Sequence, residues 1–256
     1  MKKLLLAVVA AAALGSIMTG CQSWFCCNRA TPKDELRQCQ AIYVNLPEQA
    51  VMDFNAPCWK NAVTYQLQAA GTSLKMTEGG AVKMLWNDRY LFFNVEFIDS
   101  DIVQELTKDG EHFYKAGDLV ELFIKPAGCS AYWEIFVTPN MHKTTFFYPS
   151  AGRRLPSSFA EFNMPGMIYR VALSGSLNNL KDRDQRWQAI VGISFDDLRK
   201  SCGKTDFNGK WLLQVSRYNY SVHLDECEFS QLGNPKLATA NYHHFPSYAE
   251  LSFNKK

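Results

Sequence analysis

The stretch VKMLWNDRYLFFNVEF, residues 82–97, decides the fold class of this chain. From Tyr90 to Phe97, apolar residues at the odd positions alternate with a second set at the even positions. A period of two places the two sets on opposite faces of a β-strand. An Asn87-Asp88 pair separates this strand from the apolar run before it, and both residue types tolerate tight-turn geometry. The stretch therefore predicts a β-hairpin that the rest of the chain covers.

A second strand follows in GDLVELFIK, residues 117–125, where Val120, Leu122 and Ile124 share one face and Glu121 lies on the other. Similar short runs recur with turn residues between them, at 41–44, 132–139, 168–173, 187–193, 211–218 and 248–253. The only helical signal is one turn at 195–198. Many short alternating strands without a long helix predict an all-β fold, an antiparallel β-sandwich of immunoglobulin or jelly-roll type.

Size and charge restrict the possible functions. A chain of 256 residues with 47% hydrophobic and 13% aromatic residues can bury one sizeable core. The net charge is +2 and the charges are scattered, so no basic stripe indicates a nucleic-acid partner.

The first twenty residues have the features of an export signal. Lys2 and Lys3 precede an apolar run, 4–14, that is too short to cross a bilayer as a stable helix. Met18-Thr19-Gly20-Cys21 then resembles a bacterial lipobox, whose cysteine becomes the lipidated N-terminus. An ordinary secretory signal peptide cleaved nearby is the alternative.

We accordingly expect a lipoprotein signal peptide at 1–20, a lipid-anchored spacer at 21–39 and the sandwich at 40–256. Gln22 after Cys21 resembles the outer-membrane address of enteric lipoproteins. The mature protein would then be exported and held at the cell envelope by lipid alone.

The eight cysteines do not resolve into pairs. If Cys21 is lipidated, seven remain, so at least one thiol is unpaired or pairs between chains. No Cys-x-x-Cys pattern with histidines at the usual spacing indicates a zinc site.

Taken in order, the segments resemble the family 9 carbohydrate-binding modules. The hairpin at 82–93 resembles the family's Trp-Asp-Tyr-Leu-Tyr hairpin, and 117–124 resembles its Asp-x-Val-Glu strand. Segments at 132–139, 186–198, 211–217 and 243–246 follow in the family's order, and the resemblance covers about Gln40 to Phe253. It implies a sandwich that binds an oligosaccharide or polysaccharide, often beside a glycoside hydrolase.

The resemblance also implies a carbohydrate site. Glu121 matches the family's ligand glutamate. The family's first clamping tryptophan falls near Lys115, with Tyr114 as the neighbouring aromatic, and its second falls near Tyr242. Both tyrosines lie between strands, where binding residues concentrate. We therefore expect Glu121, Tyr114 and Tyr242 to contact sugar, with Lys115 and Asn241 as polar helpers.

The chain departs from the family pattern at two positions, since the ligand arginine falls on Glu134 and the ligand asparagine on Phe136. Glu121 could equally be a structural carboxylate. Arg217, at a strand end, could form a buried ion pair with Glu134 or Glu121.

Catalysis and bound metals have weaker signals. Asp118, Glu121 and Glu134 could supply two carboxylates for glycoside hydrolysis, but a small sandwich without long catalytic loops seldom does so, and we expect no enzyme activity. Asp99 with Asp101, or Asp182 with Asp184, could hold a structural calcium ion. We expect no resident cofactor and leave calcium unassigned.

Two other functions use the same fold. Related DOMON-type domains bind haem through methionine and histidine, for which Met84, Met141, His142 and His223 are candidates. A surface lipoprotein that has lost sugar binding could instead bind another protein.

Among the tryptophans, Trp86, Trp187 and Trp211 are expected in the core, and Trp59 at its end.

Overall fold

The computed structural model describes residues 36–70, 76–155, 163–233 and 242–255. The expected signal peptide, Cys21 and Asn241 lie outside these ranges, so the predictions on them are not tested here. The first strand begins at Gln38, two residues before the expected start of the sandwich.

Thirteen strands and few helices make up the described residues. The strands are β1 Gln38–Tyr43, β2 Thr64–Gln66, β3 Gln68–Ala69, β4 Gly80–Trp86, β5 Tyr90–Ile98, β6 Leu119–Lys125, β7 Tyr132–Val137, β8 Lys143–Tyr148, β9 Ile168–Ser174, β10 Arg186–Ser194, β11 Trp211–Asn219, β12 Glu228–Gln231 and β13 Ala249–Asn254. The α-helices are α1 Glu48–Val51 and α2 Phe195–Cys202, and 3₁₀ helices span Pro57–Asn61, Phe113–Lys115 and Phe245–Ser247. The predicted all-β class is confirmed, while α2 is longer than the predicted single turn.

The strands form one curled sheet in the order β8-β7-β6-β11-β13-β1-β4-β5-β10-β9. Neighbours pair antiparallel except at β1, which runs parallel to both β13 and β4. The sheet folds over on itself, so β8-β7-β6-β11 forms one layer and β4-β5-β10-β9 the other. This curled arrangement is the predicted sandwich, with β1 as the exception to antiparallel pairing.

The main core lies between the layers. The odd-numbered side chains of β5, such as Phe93 and Val95, meet Trp133 and Ile135 of β7 there. Trp86, Trp187 and Trp211 are buried in the same cluster, as predicted.

A second core covers the outer face of the β4-β5-β10 layer. Trp59 packs there against Phe92 and Ile190, and its indole Nε1 donates to the carbonyl of Val51. The prediction that Trp59 plugs the end of the main core was wrong. The second core explains why β5 is apolar at Tyr90 and Phe92 as well as at its odd positions.

Arg217 is fully buried and pairs with Asp99, its Nη2 lying 2.9 Å from Asp99 Oδ2. The same nitrogen donates to Asn219 Oδ1. The predicted pairing with Glu134 or Glu121 was wrong, because Arg217 lies opposite Val120 on the inner face while Glu121 lies on the outer face.

One disulfide joins Cys129, in the β6–β7 loop, to Cys202 at the end of α2. Cys39 and Cys58 are buried free thiols, and Cys227 is an exposed one. Burial raises the pKa of the Cys39 thiol to about 11, so it stays protonated at neutral pH.

No helix among the described residues is long and apolar enough to span a membrane.

Candidate functional site

A cleft of about 230 Å³ opens on the outer face of the β8-β7-β6-β11 layer. Period-two alternation directs the side chains at its floor, since Glu121 on β6 lies opposite Phe136 on β7, and Glu134 lies opposite Phe123. This register makes the two glutamates diagonal neighbours on one face. The cleft is lined by His112, Tyr114, Glu121, Glu134, Phe146, Tyr148, Arg154, Tyr218, Tyr242 and His243.

The floor of the cleft is a pair of hydrogen-bonded carboxyl groups. Glu121 is 3% exposed and Glu134 6% exposed. Burial, and then the charge of Glu134, raise the pKa of Glu121 well above its usual range. Loss of the proton from Glu121 is therefore disfavoured in this desolvated site beside a second carboxyl group.

Tyr148 and His243 lie beside Glu134. The Tyr148 hydroxyl donates a hydrogen bond to its Oε2. The nearest atom of His243, Nε2, lies 3.8 Å from the same oxygen, beyond hydrogen-bond distance. Tyr132 and His243 Nδ1 are hydrogen-bonded at 3.1 Å, which fixes the imidazole at the rim.

Two buried polar atoms of the cleft have no hydrogen-bond partner among the described residues. One is Glu121 Oε2 and the other is the Tyr242 hydroxyl. The great majority of buried polar side-chain atoms are hydrogen-bonded, so each such exception calls for an explanation. An acceptor and a hydroxyl together in one cleft are suited to polar groups of a ligand.

Aromatic rings form the walls. The ring centres of Tyr114 and Tyr218 are 5.9 Å apart, and both side chains are half-buried. His112 stacks on Phe146 at 5.1 Å, and the guanidinium of Arg154 lies over the same Phe146 ring at 4.7 Å. Burial, together with the charges of Arg154 and Lys115, lowers the pKa of His112 and favours its neutral form.

No protein-family model matches the sequence, and no curated protein is significantly similar to it. Solved structures do match. A candidate carbohydrate-binding protein from Bacteroides uniformis superposes with a TM-score of 0.65 at 13% identity, over 86% of this chain and 100% of that one.

A family 9 carbohydrate-binding module from Caldicellulosiruptor kristjanssonii also matches in two structures. Its complex with cellotriose gives a TM-score of 0.56 at 14% identity, over 86% of this chain and 95% of that one. Its complex with glucose gives 0.57 at 15% identity, over 86% and 97%. The chain has the fold of the family 9 carbohydrate-binding modules. Identities this low establish the fold alone, and the family 9-like fold predicted from the sequence is confirmed.

On this family 9 fold, three of the five expected site residues line one cleft. Glu121, Tyr114 and Tyr242 come together, although Tyr242 is only 5% exposed and meets Tyr218 edge-on at 5.7 Å. Tyr242 therefore offers its hydroxyl, and not an open ring face, to the cleft. Lys115 does not line it, since this exposed side chain borders a neighbouring groove.

Seven residues that line this cleft were not among the expected sugar contacts: His112, Glu134, Phe146, Tyr148, Arg154, Tyr218 and His243. The sequence analysis named Glu134 as a departure from the family pattern, a possible catalytic carboxylate and a possible partner of Arg217, but not as a sugar contact. A charged residue inside the otherwise apolar run YWEIFV was a signal that it faces a polar site. The two tyrosines and Phe146 gave no such signal, because they reach the cleft through the pairing of β8 and β11 with their neighbours.

The aspartates proposed as calcium ligands lie in hydrogen-bond networks outside this cleft. Asp101 accepts from the backbone N–H of Val222, and Asp184 accepts from Ile102 and Ser176. Within the described ranges no three His, Cys, Asp or Glu side chains are arranged to hold a metal.

Asp118 also lies outside the cleft. Its two oxygens accept from the backbone N–H groups of Val103 and Tyr220, so it ties two loops together. It is therefore not a partner for Glu121 in a two-carboxylate site.

The haem candidates do not converge on this cleft. Met84 is buried in the main core, while Met141 is exposed in the β7–β8 turn. His142 Nδ1 lies 3.1 Å from Asp109 on the surface, and His223 is exposed after β11.

Proposed function

We propose that this chain is a non-catalytic carbohydrate-binding module whose sugar occupies the cleft above Glu121 and Glu134. The observation that carries the proposal is a buried carboxyl pair with an unpartnered oxygen, flanked by the half-buried rings of Tyr114 and Tyr218. Sugar rings present apolar C–H faces to aromatic side chains, and their hydroxyls require directed donors and acceptors.

The carboxyl pair fits binding better than hydrolysis. Glycosidases separate their two carboxyl groups by about 5 Å or more, so that a glycosidic bond fits between them. Glu121 and Glu134 are in direct hydrogen-bond contact, which leaves no such room. The fold of the cellotriose and glucose complexes gives further support for a sugar ligand.

We also propose that the module is exported, lipidated at Cys21 and held at the outer membrane, where it captures polysaccharide beside a glycoside hydrolase. The lipobox-like sequence supports the anchor, and the Cys129–Cys202 disulfide fits an oxidising compartment. Cys21→Ser should move the protein from the membrane to the soluble fraction of a bacterial host. Retention at the membrane would contradict the anchor and leave the sugar site untouched.

Titration calorimetry of the purified protein against cello-, xylo-, manno- and amino-oligosaccharides tests the sugar site. We expect saturable binding that Tyr114→Ala weakens about tenfold, because a stacking ring contributes on the order of 1 kcal/mol beyond its buried area. Tyr43→Ala, in a half-buried ring outside the cleft, is the matched control and should bind normally. A folded, colourless protein that gives no heat with any sugar would contradict the proposal, and a Soret band would favour haem.

A further inference from the structure

We propose that the cleft selects a sugar that carries a protonated amino group, as in glucosamine units, over the corresponding neutral sugar. This inference rests on the proposed carbohydrate-binding function and adds the class of sugar. It depends on the charge of the cleft, on its unpartnered acceptor and on its aromatic walls.

The charge comes from the floor. The carboxyl groups of Glu121 and Glu134 are in hydrogen-bond contact at the floor, and both side chains are more than nine-tenths buried. Arg154, the cation of the cleft, lies over Phe146 and forms no ion pair with either glutamate among the described residues. The contacts that the structure gives Glu134 are the Glu121 carboxyl, the Tyr148 hydroxyl and the more distant His243.

Among the described residues no Arg or Lys forms an ion pair with Glu121 or Glu134, and a ligand cation can take that place beside His243. Glu121 lines the cleft, and its buried Oε2 is an acceptor without a hydrogen-bond partner in the described part of the chain. An ammonium group offers three donors and a positive charge, whereas a sugar hydroxyl offers one donor and no charge. Charge-assisted hydrogen bonds are about twice as strong as neutral ones, so the amine gains more than the hydroxyl.

The walls favour the same ligand. The faces of tyrosine and phenylalanine rings attract cations within about 6 Å of their centres. Two rings of this cleft already do so, since Lys115 Nζ lies 5.7 Å from the centre of Tyr114 and Arg154 lies 4.7 Å from that of Phe146. Rings that stack on a sugar and attract its amine would act together with the carboxyl pair.

The first test needs only the unaltered protein. Glucosamine, glucose and N-acetylglucosamine are titrated separately at about pH 6, where an amine is protonated. We expect glucosamine to bind at least about tenfold tighter than glucose, and N-acetylglucosamine, whose amide is neutral, to lack this advantage. The advantage should shrink as salt is added.

Each other outcome is decisive. Glucose binding as tightly as glucosamine would overturn the amine selection and leave the carbohydrate-binding module intact. Binding of methylammonium without binding of any sugar would instead overturn the proposed function. No binding of any of these compounds, or of the oligosaccharides tested above, would overturn both.

Variants locate the charge. Glu121→Gln alone retains the Glu134 carboxyl group, so the preference for glucosamine should persist. The double variant Glu121→Gln with Glu134→Gln removes both carboxyl groups while a hydrogen-bonded amide pair still fits, and its preference should fall at least about tenfold. Glu96→Gln, a partly exposed glutamate of β5 in the opposite layer, is the matched control and should leave both affinities unchanged. A folded double variant that still prefers glucosamine would overturn the inference.

Discussion

At the scale of single residues, Glu121 is the least expected side chain in its strand. It stands in the run LVELFIK, in which every residue up to Ile124 is buried, and its own carboxyl group is buried with them. Such a group is normally retained only when it is paired or hydrogen-bonded. Glu134 provides that partner through a hydrogen bond, so each glutamate explains the presence of the other.

The raised pKa of Glu121 predicts a pH dependence of stability. Its ordinary pKa is 4.5 and the folded value lies well above it, so the folded state binds the proton more tightly than the unfolded chain. The resulting stabilisation is complete below pH 4.5 and is lost as the pH rises through the folded value, by up to about 1.4 kcal/mol per pH unit. Melting temperatures of the parent and Glu121→Gln, measured across this range, should therefore diverge. If the melting temperatures of the two proteins changed with pH in parallel, the raised pKa of Glu121 would be contradicted. Glu96→Gln should follow the parent.

The buried pair of Arg217 and Asp99 predicts a large loss of stability. Arg217→Met leaves the Asp99 carboxyl buried without its cation, and breaking such a pair costs about 3–5 kcal/mol. Urea denaturation should show this loss, and adding Asp99→Asn should recover part of it. A single variant as stable as the parent would show that the pair is not buried in solution.

At the scale of elements, period-two alternation predicted the strands that carry the core but not all their partners. The hairpin of β4 and β5, and the strands β6, β7, β10 and β11, lie where the pattern put them. The parallel pairing of β1 was missed, because β1 pairs with β4 and with β13, which lies over 200 residues along the chain. A local pattern contains no information about such distant partners.

The prediction of the binding site was limited in the same way as that of the strand pairing. Glu121 and Tyr114 were predicted from the family resemblance. Glu134 was considered beside Glu121 only as a second carboxylate for hydrolysis, and their direct contact was not predicted because it depends on the register between β6 and β7. A one-residue slip in that register would have turned Glu134 to the other face.

The loop before β6 contains a glycine whose substitution should affect both stability and binding. Gly117 has a φ of +149°, and a Cβ there would lie 2.3 Å from the carbonyl oxygen of Val103. Gly117→Ala should therefore destabilise the protein by about 1–3 kcal/mol, and weaken sugar binding because the loop carries Tyr114. Gly128→Ala, at a φ of +71° with no neighbour within 4 Å, tests positive φ alone and should cost less without affecting binding. Equal losses in both variants would contradict the close contact.

At the scale of the whole molecule, the two outer faces of the sandwich have different uses. The outer face of the β4-β5-β10 layer is covered by α1 and by the 3₁₀ helix that carries Trp59. The outer face of the β6-β7 layer instead holds the carboxyl pair and the aromatic walls. The covered layer contributes stability, so the open layer can retain buried charge and unpartnered acceptors at a binding site.

The disulfide links this architecture to the environment of the protein. Cys129 and Cys202 close a loop of 73 residues between β6 and α2, and a cross-link of this length stabilises by about 2–4 kcal/mol, chiefly by restricting the unfolded chain. Cys129→Ser with Cys202→Ser should therefore lower the melting temperature by about 5–15 °C. Reductant should lower the parent to the same value, while Cys227→Ser, at an exposed free thiol, should melt like the parent. If reductant changed nothing, the bond would contribute no stability, and the argument from the disulfide for an oxidising compartment would lose its support.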